Sequence, residues 1–442
     1  MLKKIIVFGA CAMSASLIHG QIEDYRCVSN GFRQPLKWSK ATNPWVFSRY
    51  KRKAMVDLKG KLKLVFPVYY MSNDRPVREV PFPNDVIIEA GIEPSYKDSD
   101  IDLGSSPRIV GEKITYHKGD KDTYKIITID LEDQVIKKGS WFGVWVSLEN
   151  LDGEKFVPMS RTLGSKKKQN FETSYTSAKT SFIKDDFIRK TTRIKKVNTS
   201  IDWATGYCPV AILAKTDYKG DVWGIIGSSI PEGYYDKYGD RFGDENGNIG
   251  YADKLCSTRL GAPSVNLAKG SDKFLYCAEE LKGRLDILKV CNVNKVHVGL
   301  GGNDISARHN VKKLRKNAEI VLKLIKSIKP DIEVYNATVL PHSKSTDGFT
   351  SLNQTPSWGN AGNTSVRGEW NGTLRANPKS FGYDGTFELC SFVEYDWKNS
   401  ASKWLPDETP KKYTTDGTHP TCDGSEAIAE HAYLIGEESK DK

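Results

Sequence analysis

The sequence predicts a two-part chain: an all-β sandwich, then an α/β domain of three αβα layers built on a parallel sheet. Two observations predict this. Before about residue 160, apolar and polar residues alternate over short stretches separated by turn residues. After about residue 205, short apolar runs alternate with segments whose apolar residues recur at helical spacing. The length of 442 residues permits two or three domains at roughly 150 residues each. A hydrophobic share of 38% with 10% aromatics excludes a mostly disordered chain. No internal run of about 18 apolar residues occurs, which excludes a bundle of membrane-spanning helices.

The first segment, 1–20, reads as a signal peptide. Lys3 and Lys4 provide a positive start, and the mostly apolar run Ile5 to Ile18 is shorter than the roughly 20 residues that cross a bilayer. Cleavage after Gly20 would give a secreted or periplasmic protein with no transmembrane segment. It would lower the net charge from +10 to +8 and leave seven cysteines: Cys27, Cys208, Cys256, Cys277, Cys291, Cys390 and Cys422. An exported chain can form disulfides. The sequence does not assign them, although a Cys390–Cys422 link is one candidate, and the odd count leaves at least one thiol unpaired within the chain.

Residues 21–160 supply the expected sandwich. Phe142, Val144, Val146 and Leu148 alternate on one face, as do Ile127, Ile129 and Leu131, and Leu62 to Tyr70 and Val86 to Ile92 are further strand-like runs. Between 161 and 204 lies a basic linker. Arg161 to Lys196 holds eleven Lys/Arg against Glu172, Asp185 and Asp186, which accounts for the whole positive excess of the mature chain. Such a stretch attracts anionic surfaces. Its aromatic content is too thin for stacking on single-stranded nucleic acid, so no nucleic-acid partner is expected.

The α/β domain is expected over 205–442. Strands are predicted at Val222 to Ile226, Ser264 to Leu267, Val296 to Leu300 and Ile332 to Val339. Helices are predicted from about Lys273 to Val290, through Leu314, Ala318, Val321, Leu322, Ile325 and Ile328 before Pro330, and around Ser425 to Leu434. Residues 353–384 read as a long polar loop in which Trp358, Trp370 and Tyr383 could stack on sugar rings or pin the loop to the core.

In parallel sheets, reactive groups gather at the carboxyl ends of the strands. Four polar segments fall there or just before the last helix: Gly227-Ser228-Ser229-Ile230, Asn266-Leu267-Ala268-Lys269-Gly270, Gly301-Gly302-Asn303-Asp304 and Asp416-Gly417-Thr418-His419-Pro420. Each alone is ordinary turn material. Together, in this order, they resemble the four blocks of the SGNH (GDSL-type) hydrolase superfamily, a likeness that extends to Pro341 through Phe349 and covers roughly 205–437. The resemblance implies Ser229 as nucleophile, Asp416 and His419 as its partners, and an oxyanion hole from the N–H of Ser229, the N–H of Gly270 and the side-chain amide of Asn303. Ser228 stands where the superfamily has an aspartate, and Ser228 as nucleophile is the second reading.

The chemistry agrees with these assignments. A serine hydroxyl becomes a nucleophile when a base accepts its proton, and a neutral imidazole suits that role near pH 7. A carboxylate three residues before the histidine can fix its tautomer. His117, His297, His309 and His431 read as core or surface residues, whereas His342 lies closer to the expected site. No H-E-x-x-H or phosphate-loop motif is present, and Asp244-Glu245-Asn246-Gly247-Asn248 departs from a calcium loop at Ile249 and Leu255. The reading is therefore a secreted serine esterase without cofactor or metal, acting on an acylated polysaccharide or small acyl ester and removing O-acetyl groups. The alternatives are a lipase or phospholipase of the same fold, and an inactive glycan-binding protein.

Overall fold

The computed structural model describes residues 24–38, 45–94, 108–151, 157–162, 171–176, 204–238, 241–244, 246–357, 361–407 and 412–436. The signal-like segment, Trp358 and all of the basic linker except 161–162, 171–176 and residue 204 lie outside them. No described helix is long and apolar enough to cross a membrane.

The amino-terminal half is strand-rich. A four-stranded antiparallel sheet has the order Tyr25–Cys27, Ala211–Lys215, Leu58–Pro67, Tyr124–Ile136. A larger antiparallel sheet is built around Trp141–Asn150, flanked by Trp45–Lys53 and Val86–Glu93. The two-residue periodicity explains the packing. Leu62, Leu64, Ile127 and Ile129 point from the first sheet into one buried cluster with Ile88, Ala90, Val144 and Val146 of the second. Val65, Ala211 and Leu213, on the opposite face of the first sheet, belong to a different cluster that includes Val222, Ile226, Phe274 and Leu288 of the second half. The four-stranded sheet is thus buried on both faces, and its far face is shared with the α/β half.

Strand pairing also moves the expected boundaries. Phe171–Thr176, inside the predicted linker, pairs with Trp45–Lys53. Ala204–Gly206 and Ala211–Lys215 pair within the amino-terminal sheets, so the β-rich half extends past 205 to Lys215.

The second half contains a six-stranded sheet. Its elements in chain order are β1 (Trp223–Gly227), α1 (Ser229–Glu232), α2 (Gly250–Lys254), β2 (Ser264–Asn266), α3 (Phe274–Glu279), α4 (Lys282–Val290), β3 (Lys295–Gly299), α5 (Gly302–Ser306), α6 (Val311–Lys326), β4 (Glu333–Ala337), α7 (Val366–Ala376), β5 (Gly385–Glu388), α8 (Cys422–His431) and β6 (Tyr433–Ile435). The strand order is β2-β1-β3-β4-β5-β6. The first five strands are parallel and β6 is antiparallel. The sheet is therefore mixed rather than wholly parallel: β6 is an edge strand with one neighbour, a position at which direction is least constrained.

Three further expectations are corrected. The single helix from Lys273 to Val290 is two, because Glu280 is extended and Leu281, at φ −141 and ψ 4, is not helical either. The break aims the first turn of α4 at Glu79, which accepts the N–H groups of Gly283 (2.5 Å) and Arg284 (3.2 Å). Residues 353–384 are not a structureless loop. They hold α7, and Trp370 and Tyr383 are buried in the core, so neither is a sugar platform. Finally, all seven described cysteines are buried and none forms a disulfide, Cys390 and Cys422 included, so the candidate link between those two is absent.

Candidate active site

The nucleophile segment begins where β1 ends. All five residues of β1 are buried, and the chain turns at once into the short helix α1. The turn depends on Gly227, where a Cβ would lie 2.2 Å from Pro231 Cγ. Ser228 sits in extended backbone just before α1, with its N–H donating to the Gly299 carbonyl at 3.2 Å. Ser229 occupies the first helical position.

Its hydroxyl meets His419, which comes from the turn before α8. Ser229 Oγ is 2.9 Å from His419 Nε2, and His419 Nδ1 is 2.7 Å from Asp416 Oδ2. The other carboxylate oxygen of Asp416 accepts the N–H groups of Thr418 and His419, each at 2.8 Å. One side chain therefore shapes the turn and orients the imidazole. Gly417 makes the turn possible: it has φ +72, and a Cβ there would lie 1.9 Å from the Ser343 carbonyl. Burial pushes the Asp416 carboxyl up, but the His419 hydrogen bond, the His419 charge and the two backbone N–H groups outweigh it and hold the carboxyl below its usual range. Asp416 is thus ionised at neutral pH. The Nδ1–H tautomer that it favours leaves Nε2 free to accept the Ser229 proton.

Of the residues expected around the oxyanion, Gly270 lies beside the serine, with one difference from expectation. Asn303 lies in the first turn of α5, where its Nδ2 donates to the Asp272 carbonyl at 3.0 Å, and its second amide hydrogen has no partner among the described residues. Gly270 lies close to Ser229, and a Cβ built on it would be 3.7 Å from Ser229 Cβ. Its N–H, however, donates to Glu232 Oε2 at 2.6 Å. In the resting structure that N–H is directed at a carboxylate rather than at a substrate position.

The remaining described histidines are accounted for. His297 is buried against the Tyr251 hydroxyl at 2.7 Å, and burial lowers its pKa to about 3. His342 is buried behind the His419 turn, where its Nδ1 is 3.2 Å from Thr418 Oγ1. Burial first, then the nearby Arg367 and His419, hold its pKa down to about 3. His309 packs against Asp304, His117 against Asp85, and His431 stacks on Phe392. Asp244 binds its own loop through Asn246 and Asn248. No cluster of three or more metal-ligating side chains occurs among the described residues.

Sequence reasoning did not single out Glu232 or the tyrosine pair that follows it. The Tyr235 ring stacks on His419 at 5.4 Å between centroids and 13° between planes, and Tyr234 meets the same imidazole edge-on at 5.0 Å. Tyr235 has φ +66, a left-handed conformation that an aromatic residue adopts only under constraint. The available signal was proximity: both tyrosines lie within six residues of the nucleophile.

A strand-to-helix serine joined to a histidine and a carboxylate at the rim of an α/β sheet defines a hydrolase with a serine nucleophile. Residues 225–427 match the GDSL-like Lipase/Acylhydrolase family. The chain accordingly carries a domain of the SGNH (GDSL-type) superfamily and is a serine ester hydrolase. A search of curated proteins returned no match. Similar solved structures include a GDSL-like lipase from Bacteroides thetaiotaomicron (16% identity, 48% of this chain and 84% of that one, TM-score 0.32). A family 3 carbohydrate esterase from Clostridium thermocellum is similar at 16% identity, over 48% of this chain and 92% of that one, with TM-score 0.31. A family two carbohydrate esterase from the same organism, in complex with cellohexaose, is similar at 10% identity, over 91% of this chain and 95% of that one, with TM-score 0.33.

Proposed function

We propose that the protein is an exported esterase that removes O-acetyl groups from a polysaccharide through an acetyl-enzyme on Ser229. The observation that carries the chemistry is the continuous chain Ser229 Oγ, His419 Nε2, His419 Nδ1, Asp416 Oδ2 at 2.9 and 2.7 Å. Ser229 attacks the ester carbonyl as His419 takes its proton. The N–H of Ser229 and the free amide hydrogen of Asn303 face the developing oxyanion; Gly270 joins them when Glu232 releases its N–H. The imidazolium, stabilised by Asp416, then protonates the departing sugar oxygen as the C–O bond breaks. Water, deprotonated by His419, attacks the acetyl-enzyme, and acetate leaves with Ser229 reprotonated.

A sugar substrate is supported by the half-exposed Tyr234 and Tyr235 beside the catalytic imidazole, aromatic surface of the kind that packs on pyranose faces. The strand-rich amino-terminal half fits the β-sandwich read from its sequence, and export rests on the segment 1–20. The test is acetate release from acetylated glycans and from a small acetyl ester by the mature protein. Acetyl esters should be turned over faster than long-chain esters, and Ser229→Ala should abolish both activities. A preference for long acyl chains would move the assignment to a lipase.

A further inference from the structure

The amino-terminal half does more than border the site. Arg33 leaves the β-rich half, pairs as an isolated parallel bridge with Asn266 at the outer edge of β2, and drives a buried guanidinium under the nucleophile turn. Its Nε donates to the carbonyl of Glu232, the last residue of α1, at 3.0 Å, and its Nη2 to the carbonyl of Ile249 at 2.7 Å. Its Nη1 forms an ion pair with the buried Asp253 at 2.6 Å. Asn266, held by the same carboxylate, donates to the Pro231 carbonyl at 2.9 Å. The next residue, Gln34, donates to the carbonyls of Leu267 (2.7 Å) and Ala268 (3.2 Å), immediately before the Gly270 loop.

A second buried contact reaches the other side of the site. Glu79, the first residue of the strand Glu79–Pro81 in the amino-terminal half, accepts from Arg284 Nε at 2.9 Å, and Arg284 Nη1 donates to Asp272 Oδ2 at 2.6 Å. Asp272 in turn presents the carbonyl that fixes Asn303. Two of the three moving parts of the proposed chemistry, the nucleophile turn and the oxyanion amide, are thereby tied to side chains of the first half.

We infer that the amino-terminal half is a working part of the active site, with Arg33 and Glu79 as positioning residues that set where Ser229 and Asn303 stand. Neither residue touches substrate. Each acts through backbone or side-chain groups that do, and a planar fork such as guanidinium holds two carbonyls and a carboxylate at once in fixed geometry. The inference deepens the esterase reading and rests on it for its kinetic consequence. A displacement of Ser229 of the order of 1 Å is enough to cost about 100-fold in rate.

The experiment separates positioning from stability. Arg33→Met alone strands the Asp253 carboxylate and destabilises the fold. The double variant Arg33→Met/Asp253→Leu removes both charges and should melt near the wild type. It still lacks the hold on Glu232 and Ile249. On a small acetyl ester its kcat should fall about 10- to 100-fold with KM within about twofold, while Arg33→Lys recovers part of the rate. Amide hydrogen exchange across 229–236 should rise in the double variant and stay unchanged in α6. Wild-type kcat together with wild-type exchange in that segment would overturn the inference. If the wild type proves inert toward every ester, the esterase reading fails, and exchange alone then decides whether Arg33 holds the turn.

Discussion

Asp416 divides its two oxygens between a turn and a ring, and this division predicts what its removal does. In Asp416→Asn, the amide oxygen can still accept the N–H groups of Thr418 and His419, so the turn survives. The amide nitrogen then faces His419 Nδ1 and favours the wrong tautomer, with the proton on Nε2 toward Ser229. The expected result is a fall in kcat of about 10³–10⁴ with little change in KM or melting temperature, checked by steady-state kinetics on a small acetyl ester. At this scale the site was legible. Ser229, Asp416 and His419 could be read because four segments in this order resemble the superfamily's blocks, and the structure brings the three side chains together. The direction of the Gly270 N–H could not be read, because it is set by Glu232, which arrives from α1 and carries no local mark in the Gly270 segment. The tyrosine stack was hidden for the same reason: it depends on how the chain leaves α1 at Gly233, not on the pattern of the residues themselves.

Among the elements, α6 shows the clearest passage from sequence to structure. Leu314, Ala318, Val321, Leu322 and Ile325 repeat at helical spacing and all are buried. Asn310 caps the helix by accepting the Lys313 N–H at 2.9 Å. Asn310→Ala should cost about 1 kcal/mol of stability, measured by denaturant unfolding, and leave kcat unchanged. Gly227→Ala belongs at this scale too, since a methyl group 2.2 Å from Pro231 Cγ must move α1. It should destabilise by about 1–3 kcal/mol and lower kcat by more than that loss of stability explains, seen when activity is measured well below the melting temperature. Long periodic elements were read correctly; interruptions were not. The break at Glu280–Leu281 follows from a carboxylate more than two hundred residues earlier in the chain, and α7 was masked by the Asn, Gly and Ser around it. The antiparallel course of β6 left no trace in a three-residue apolar run.

At the scale of the whole molecule, the two halves share a core in which Val65, Ala211 and Leu213 pack with Val222, Ile226 and Leu288. Unfolding by heat should therefore be a single transition, and a fragment beginning at residue 216 should not fold; two resolved calorimetric transitions would contradict the shared core. The sequence pointed instead to halves joined by a linker, because alternation in a strand does not reveal that both of its faces are covered. Stability should also depend on pH in a defined window. His297 and His342 are held neutral with folded pKa values of about 3, below the ordinary 6.5. Between these values the unfolded chain binds more protons than the folded one, so stability rises with pH across the window and falls as pH drops from about 6.5 toward 3, by as much as a few kcal/mol per histidine. Denaturant unfolding across this range should show the slope, and His342→Gln should remove part of it.

The seven buried thiols give the folding of this enzyme an internal clock. Burial raises every one of them above the ordinary cysteine range where a shift is resolved, as at Cys27, which reaches about 11, and at Cys256, Cys277, Cys291 and Cys390. Thiol reagents should be blind to the native protein and reductants should leave its turnover untouched. Modification with a chromogenic disulfide would then advance only as molecules open, so that its rate reads out how often the shared interior comes apart.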